Sequence, residues 1–270
     1  MTGIFFGDAR QVARVYELAV VRQLEREAGL DGNAVLTRAE LPAKKALARE
    51  TEAIFSTWGM PALTEAEIAD CFPKLKAVFY AAGSVQGFAR PFLARGVRVF
   101  SAWAANAVPV AEFAAAQILL ANKGFFQAAA RAGRGETAEA RAYTDRFPGN
   151  YRCKVGLVGA GMIGKLVIEA LRRHELEILV FDPFLPDREA QRLGVWKGPL
   201  ETIFSECRTV SNHLANNAKT VGMLDYSLFS RMPAYSTFIN TGRGAQVVEK
   251  DLVRALTEEP GRTALLDVTD

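Results

Sequence analysis

The chain has 270 residues, half of them hydrophobic and 23% charged, which is the mixture of a globular protein with a large buried core and excludes disorder or a collagen-like chain. At roughly 100–200 residues per domain, this length predicts two domains. Lys plus Arg is 33 and Asp plus Glu is 30, and the net charge of +3 comes without a basic block, so charge gives no case for nucleic acid or a membrane surface as partner.

Cys71, Cys153 and Cys207 are far apart and show no CxxC or Cys/His spacing. That pattern predicts neither a disulfide framework nor a zinc site, and it places the chain in a reducing cytoplasm. The N-terminus lacks a basic segment and a long apolar core and does not read as a signal peptide. The most apolar stretch, Ala107 to Ala121, is interrupted by Pro109, Glu112 and Gln117 and falls short of the roughly 18 residues of a membrane span.

In chain order, short apolar bursts alternate with helix-period stretches, the pattern of an α/β protein with a parallel sheet. Strands are predicted at Ile4–Gly7, Ala53–Thr57, Ala77–Tyr80 and Val97–Phe100. One helix is predicted over Gln11 to Glu27, with Val12, Val15, Leu18, Ala19 and Leu24 on one side. Thr64 and Glu67 form a capping box for a second helix, which Pro73 stops. From Trp103 to Pro109 the chain reads as irregular, with an apolar helix opening at Val110, so the domains are predicted as residues 1–103 and 104–270. The Arg-containing stretch from Gln127 to Asn150 reads as solvated surface, because Glu136, Glu139 and Asp145 are interleaved with its arginines.

The most informative segment follows. Lys154 to Val158 reads as a buried strand and runs into Gly159-Ala-Gly161-Met-Ile-Gly164 and then a helix. Gly159 suits a tight turn, Gly161 lets the backbone approach a pyrophosphate, and Gly164 lets the helix pack close to the strand. The helix N-terminus then offers free N–H groups and its positive dipole end to phosphates. A second strand, Ile178–Phe181, ends in Asp182, where a carboxylate can accept from both ribose hydroxyls and repel a 2′-phosphate. This combination predicts NAD rather than NADP. Further strands at Gly194–Lys197, Thr209–His213, Ser236–Asn240 and Thr263–Val268 alternate with helical stretches at Leu200–Glu206, Leu224–Arg231 and Lys250–Glu258. Strand carboxyl ends carry the ligands in such sheets, which gathers His213, Thr241, Gly242, Arg243 and Asp267 around one crevice with Gly161 and Asp182.

In these residues the chain resembles the D-isomer-specific 2-hydroxyacid dehydrogenases. The resemblance is carried by Phe72-Pro-Lys-Leu-Lys76, Ala81-Ala-Gly-Ser-Val85 and Val110-Ala-Glu-Phe113, by the fingerprint with Asp182, and by Ser211-Asn-His-Leu214, Ile239-Asn-Thr-Gly-Arg-Gly244 and Leu266-Asp-Val268. It implies an NAD-binding Rossmann domain, a doubly wound parallel sheet, after a flavodoxin-like substrate domain. It further implies that Arg243 binds the carboxylate of a small 2-hydroxy or 2-keto acid, since a guanidinium donates two parallel bonds to a carboxylate. Backbone N–H groups of the loop carrying Ala82, Gly83 and Ser84 would hold the same carboxylate, and Met162 and Ile163 would meet the pyrophosphate. Thr241, Gly242 and Asp267 would line the nicotinamide side, with His213 in the cofactor pocket rather than in proton transfer.

The family's proton-transfer glutamate and histidine follow the Leu-Asp-Val segment, beyond Asp270. The resemblance therefore predicts a 270-residue polypeptide that binds NAD and turns over little. His213-Leu-Ala215 and Gln86-Gly87 depart from the family pattern and leave the substrate open. A formate- or phosphite-type dehydrogenase and a non-catalytic NAD(H)-sensing protein are the alternatives. His174 reads as a surface or helix-end residue and Glu249 as a helix-dipole partner. Phe125, Phe126 and Trp103 read as core or interface aromatics. The alanine face of Ala111, Ala114, Ala115 and Ala121 suggests close helix packing in a region that takes part in dimerisation in the family, so a homodimer is expected.

Overall fold

A computed structural model describes residues 2–32 and 34–270. The chain divides into two compact units, Met1–Asn106 and Ala107–Asp270. In the first, β1 (Gly3–Phe6), α1 (Ala9–Val15), α2 (Leu18–Ala28), β2 (Val35–Leu36), α3 (Lys45–Glu50), β3 (Ala53–Ser56), α4 (Glu65–Cys71), β4 (Ala77–Tyr80), α5 (Ala89–Ala94) and β5 (Arg98–Ser101) follow in order. The five strands form one parallel sheet in the order β2-β1-β3-β4-β5. Helices cover both faces of such a sheet, which is why its strands are apolar at nearly every position. Ile4, Phe6, Ile54, Val78 and Tyr80 enter one cluster with Ile68, Phe72 and Phe92, while Phe5, Ala53 and Phe55 enter another with Val12, Ala28 and Leu30. Phe55, Phe79 and Phe100 share a register and stack at 5.2 and 5.1 Å across three strands.

Thr64 and Glu67 form the capping box expected of them: the Glu67 N–H donates to Thr64 Oγ1 at 3.2 Å and the Thr64 N–H to Glu67 Oε2 at 2.7 Å. The single helix expected over Gln11 to Glu27 is instead two, α1 and α2, broken at Tyr16 and Glu17. Tyr16 leaves the helical conformation, its ring packs edge-on against Phe5 at 4.9 Å, and its hydroxyl donates to the Ser56 carbonyl at 3.0 Å. A half-buried phenol needs a partner, and this one lies forty residues away.

Helix α6 (Trp103–Ala121) begins seven residues earlier than expected and carries Pro109 inside it, where an irregular stretch was predicted. Pro109 stands between Val108 and Val110, but Ala104, Ala105, Ala107, Ala111, Ala114 and Ala115 share the helix, and alanine has the highest helix propensity of any residue. At this length α6 is long and apolar enough to cross a membrane by length and composition, contrary to the reading of an interrupted stretch. Its inner face packs into the core of the second unit through Ala111, Ala114, Ala115 and Ile118. Trp103 and Phe125 are not core residues: each is about half exposed, at 54% and 49%.

The second unit continues with α7 (Phe125–Gly133), α8 (Thr137–Thr144), β6 (Lys154–Val158), α9 (Met162–Leu171), β7 (Glu177–Phe181), α10 (Asp187–Leu193), β8 (Trp196–Lys197) and α11 (Leu200–Glu206). It ends with β9 (Thr209–Asn212), α12 (Tyr226–Phe229), β10 (Thr237–Asn240), α13 (Glu249–Glu258) and β11 (Thr263–Leu266). Its six strands are all parallel, in the order β11-β10-β9-β6-β7-β8. Val155, Leu157 and Val180 face α6, α9 and α10, while Val158, Val210 and Phe238 face α11, α12 and α13. Strand order reverses between β6 and β9, and the crevice outside the carboxyl ends of strands at such a switch point is where doubly wound sheets bind ligands.

Candidate functional site

At the end of β6 the chain turns sharply through Gly159, whose φ of +101° is a conformation L side chains rarely adopt. Its N–H donates to the Phe181 carbonyl at 2.7 Å, and a Cβ there would lie 2.9 Å from the His213 carbonyl oxygen. Gly164 is tighter still, because its Cβ would sit 2.2 Å from the Gly159 carbonyl oxygen, so α9 can approach the strand only with glycine here. Gly161 differs. It is the N-cap of α9, no side chain caps the helix, and a Cβ would meet nothing within 4 Å. Among the described residues no acceptor takes the N–H groups of Gly161, Met162, Ile163 or Gly164. Met162 is exposed and Ile163 half-buried. Unpaired N–H groups at a helix N-terminus beside an open glycine fit the pyrophosphate of a dinucleotide.

Asp182 follows β7 directly. Its Oδ2 accepts from the Ala160 N–H at 2.7 Å and its Oδ1 from the Phe184 N–H at 2.8 Å. The carboxylate thus braces the glycine turn from the neighbouring strand while remaining half-buried.

His213, after β9, is buried, and its ring Nδ1 lies 3.3 Å from Thr241 Oγ1, after β10. Its Nε2 is buried with no hydrogen-bond partner among the described residues. Burial pushes its pKa down to about 4, so the imidazole is neutral near pH 7. A neutral ring with one orphaned nitrogen can bond a ligand group; a proton donor for catalysis needs a pKa nearer the working pH.

Thr241 and Gly242 are buried and Arg243 is exposed. Arg243 Nη1 donates to the Gly242 carbonyl at 2.7 Å, and among the described residues no carboxylate pairs with the guanidinium. Asp267, one residue past β11, is exposed, and its N–H donates to the Asn240 carbonyl at 3.0 Å. The second unit therefore brings Gly159, Gly161, Gly164, Asp182, His213, Thr241, Gly242, Arg243 and Asp267 to the carboxyl ends of five strands of one sheet.

Ala82, Gly83 and Ser84 belong to the first unit, on the loop after β4. Ser101 Oγ donates to the carbonyls of Ala82 at 3.0 Å and Gly83 at 2.5 Å. With its carbonyls held, the loop leaves the N–H groups of Ala82, Gly83 and Ser84 without an acceptor among the described residues. His174 is exposed in the turn after α9, and Glu249 opens α13, where it accepts from the Asp270 N–H at 2.8 Å.

Sequence reasoning quoted Asn212 and Asn240 only as members of motifs, and missed Gln246 and the buried amide set that the three form beneath the Arg243 turn. The available signal was an asparagine ending each of two strands that become neighbours, with Asn212 and Asn240 direct register partners.

Comparison with known proteins extends this picture. Residues 115–270 match the family described as D-isomer specific 2-hydroxyacid dehydrogenase, NAD binding domain. The chain is 30% identical over 207 residues to D-3-phosphoglycerate dehydrogenase of Mycobacterium tuberculosis, covering 76% of this chain and 38% of that protein. It is 32% identical over 167 residues to formate dehydrogenase of Neurospora crassa, covering 60% of this chain and 44% of that one. In eight of the curated relatives that it matches, the matched stretch spans from 32% to 51% of their length. Among solved structures, D-mandelate dehydrogenase of Rhodotorula graminis superposes with a TM-score of 0.79 at 19% identity, over 99% of this chain and 81% of that one. That likeness is one of fold.

Proposed function

Because the chain belongs to the D-isomer-specific 2-hydroxyacid dehydrogenase family and carries that family's NAD-binding domain, we propose that it serves hydride transfer between NAD and the 2-carbon of a small D-2-hydroxy acid or 2-keto acid. When bound, NAD supplies the hydride acceptor. The N–H groups of Gly161, Met162, Ile163 and Gly164 hold the pyrophosphate, and Asp182 receives the ribose hydroxyls. His213, Thr241, Gly242 and Asp267 line the nicotinamide end. Arg243 takes the substrate carboxylate. His213 is a lining residue rather than the proton donor, because it is buried and neutral.

One observation carries the reading: an uncapped helix N-terminus and an arginine without a carboxylate partner lie at the same end of one parallel sheet. The reading extends to a homodimer in a reducing cytoplasm, with the exposed Phe113 and Leu120 of α6 against the second copy.

Isothermal titration with NAD and NADP tests it. The folded protein binds NAD in preference to NADP, and Asp182→Ala weakens NAD by about tenfold or more while narrowing the preference. Asp182→Asn, which keeps one acceptor oxygen for the Ala160 N–H, separates bracing of the turn from recognition of the ribose. Unchanged selectivity in Asp182→Ala would assign the ribose to another residue. No heat with NAD would overturn the whole proposal.

A further inference from the structure

The buried amides beneath the Arg243 turn have no part in the proposal above. Asn212, Asn240 and Gln246 have side chains that water does not reach, at 0%, 1% and 0% exposure. Their bonds form a closed set. Asn212 Nδ2 donates to Asn240 Oδ1 at 3.0 Å and to Gln246 Oε1 at 2.7 Å. Gln246 Oε1 also accepts from the Arg243 N–H at 3.2 Å, and Asn240 Nδ2 donates to the Arg243 carbonyl at 3.2 Å. Arg243 is therefore gripped at both of its backbone polar groups by side-chain amides. Leu214 is gripped likewise: its N–H donates to Asn212 Oδ1 at 3.2 Å and its carbonyl accepts from Gln246 Nε2 at 3.0 Å. Gly242 completes the set by donating to Asn240 Oδ1 at 3.1 Å.

This arrangement does more than fill space. Three primary amides in an apolar interior are costly unless satisfied, and leucines could fill such a core without that demand. An amide network adds direction, since each oxygen and each nitrogen has a required partner. Turning Gln246 over would set its Nε2 against two donors, Asn212 Nδ2 and the Arg243 N–H. The turn sits directly on the amides: a Cβ on Gly242 would lie 2.6 Å from Gln246 Oε1 and 2.9 Å from Asn212 Nδ2. Arginine has a long, flexible side chain, so its backbone decides which region the guanidinium samples.

We propose that Asn212, Asn240 and Gln246 are positioning residues that hold Arg243 for a substrate carboxylate and lock the Leu214 segment into the same frame, without touching ligand themselves. This rests on the role given to Arg243 above. The triad gives the turn a fixed geometry before any acid binds, so less ordering is left to do at binding.

The test compares the unsubstituted protein, Arg243→Ala and the double variant Asn212→Leu/Gln246→Leu, each loaded with NAD. The double variant removes the Asn212–Gln246 bond as a pair but leaves the Arg243 N–H and both Leu214 backbone groups without their amide partners, so its stability is measured first, by urea unfolding. Gln246→Met, of similar length, serves if the double variant does not fold. The probe is oxalate, measured by calorimetric titration, together with amide hydrogen exchange at Arg243. The double variant should bind oxalate about tenfold or more weakly, keep its NAD affinity within about twofold, and exchange the Arg243 amide faster. Oxalate affinity retained within about twofold overturns the proposal, as does unchanged exchange at Arg243. If the unsubstituted protein and Arg243→Ala treat oxalate alike, the role of Arg243 has failed instead. Exchange at Arg243 then still decides whether the amides hold the turn.

Discussion

His213 illustrates how much one side chain can be asked to do by its surroundings. Its ring is enclosed between the ends of β9 and β10, close to Thr241 on one side and unpartnered on the other. Burial lowers the folded-state pKa from 6.5 to about 4, so the unfolded chain takes up the proton first as acid is added. The stability this neutral histidine permits is complete above pH 6.5 and is lost as pH falls from there toward 4, a loss on the order of 3 kcal/mol at about 1.4 kcal/mol per pKa unit. Urea unfolding at pH 7.5 and pH 5 should show the native protein losing more stability than His213→Asn, which cannot charge. Equal losses would mean that His213 is not the group that acid titrates. The other histidine, His174, is exposed and is present in both proteins. Asp182 shows the same economy of means. One carboxylate accepts two backbone N–H groups, from Ala160 and Phe184, and so fixes the turn whose free amides are to meet the phosphates.

At the scale of an element, the glycine turn into α9 separates two uses of a missing side chain. Gly164→Ala places a methyl 2.2 Å from the Gly159 carbonyl oxygen, so α9 must move off the strand. Gly161→Ala places its methyl in open space, where only a ligand would meet it. Melting curves should therefore fall by several degrees for Gly164→Ala, a shift of the size that roughly 1–2 kcal/mol produces, and stay near native for Gly161→Ala. NAD titration should show both variants impaired. A Gly161→Ala protein that binds NAD as the native one does would place the phosphates elsewhere. These glycines were legible in the sequence because each answers a steric demand set within a few residues: a tight turn, an open approach, a close packing. The strands were legible for a similar reason, since a parallel sheet covered on both faces writes itself as short apolar runs. Other features depend on partners far along the chain. The break between α1 and α2 follows from Tyr16 reaching Ser56 and Phe5. Pro109 lies within α6 although the local rule places an interruption there, because a long apolar face packed into the core outweighs one missing N–H. The amide triad becomes visible only when β9 and β10 are paired in register.

Across the whole molecule, the two parallel sheets carry separate cores. The clusters containing Ile4, Ile54 and Phe5 draw only on residues of the first unit, and those containing Val155, Val180 and Phe238 only on the second. Every contact assigned to NAD lies in the second unit. A ligand stabilises the state it binds by mass action, by about 2.7 kcal/mol at a hundred times its dissociation constant. That free energy should enter where the contacts are. Hydrogen exchange with and without saturating NAD should slow the amides of β6, β9 and β10, whose global opening now requires release of the ligand. The amides of β1, β3 and β4 should exchange as before, because their own clusters set the free energy of opening. Equal slowing in both sheets would show instead that the two units open as one cooperative body. Slowing confined to the first sheet would contradict the placement of the cofactor at the carboxyl ends of the second.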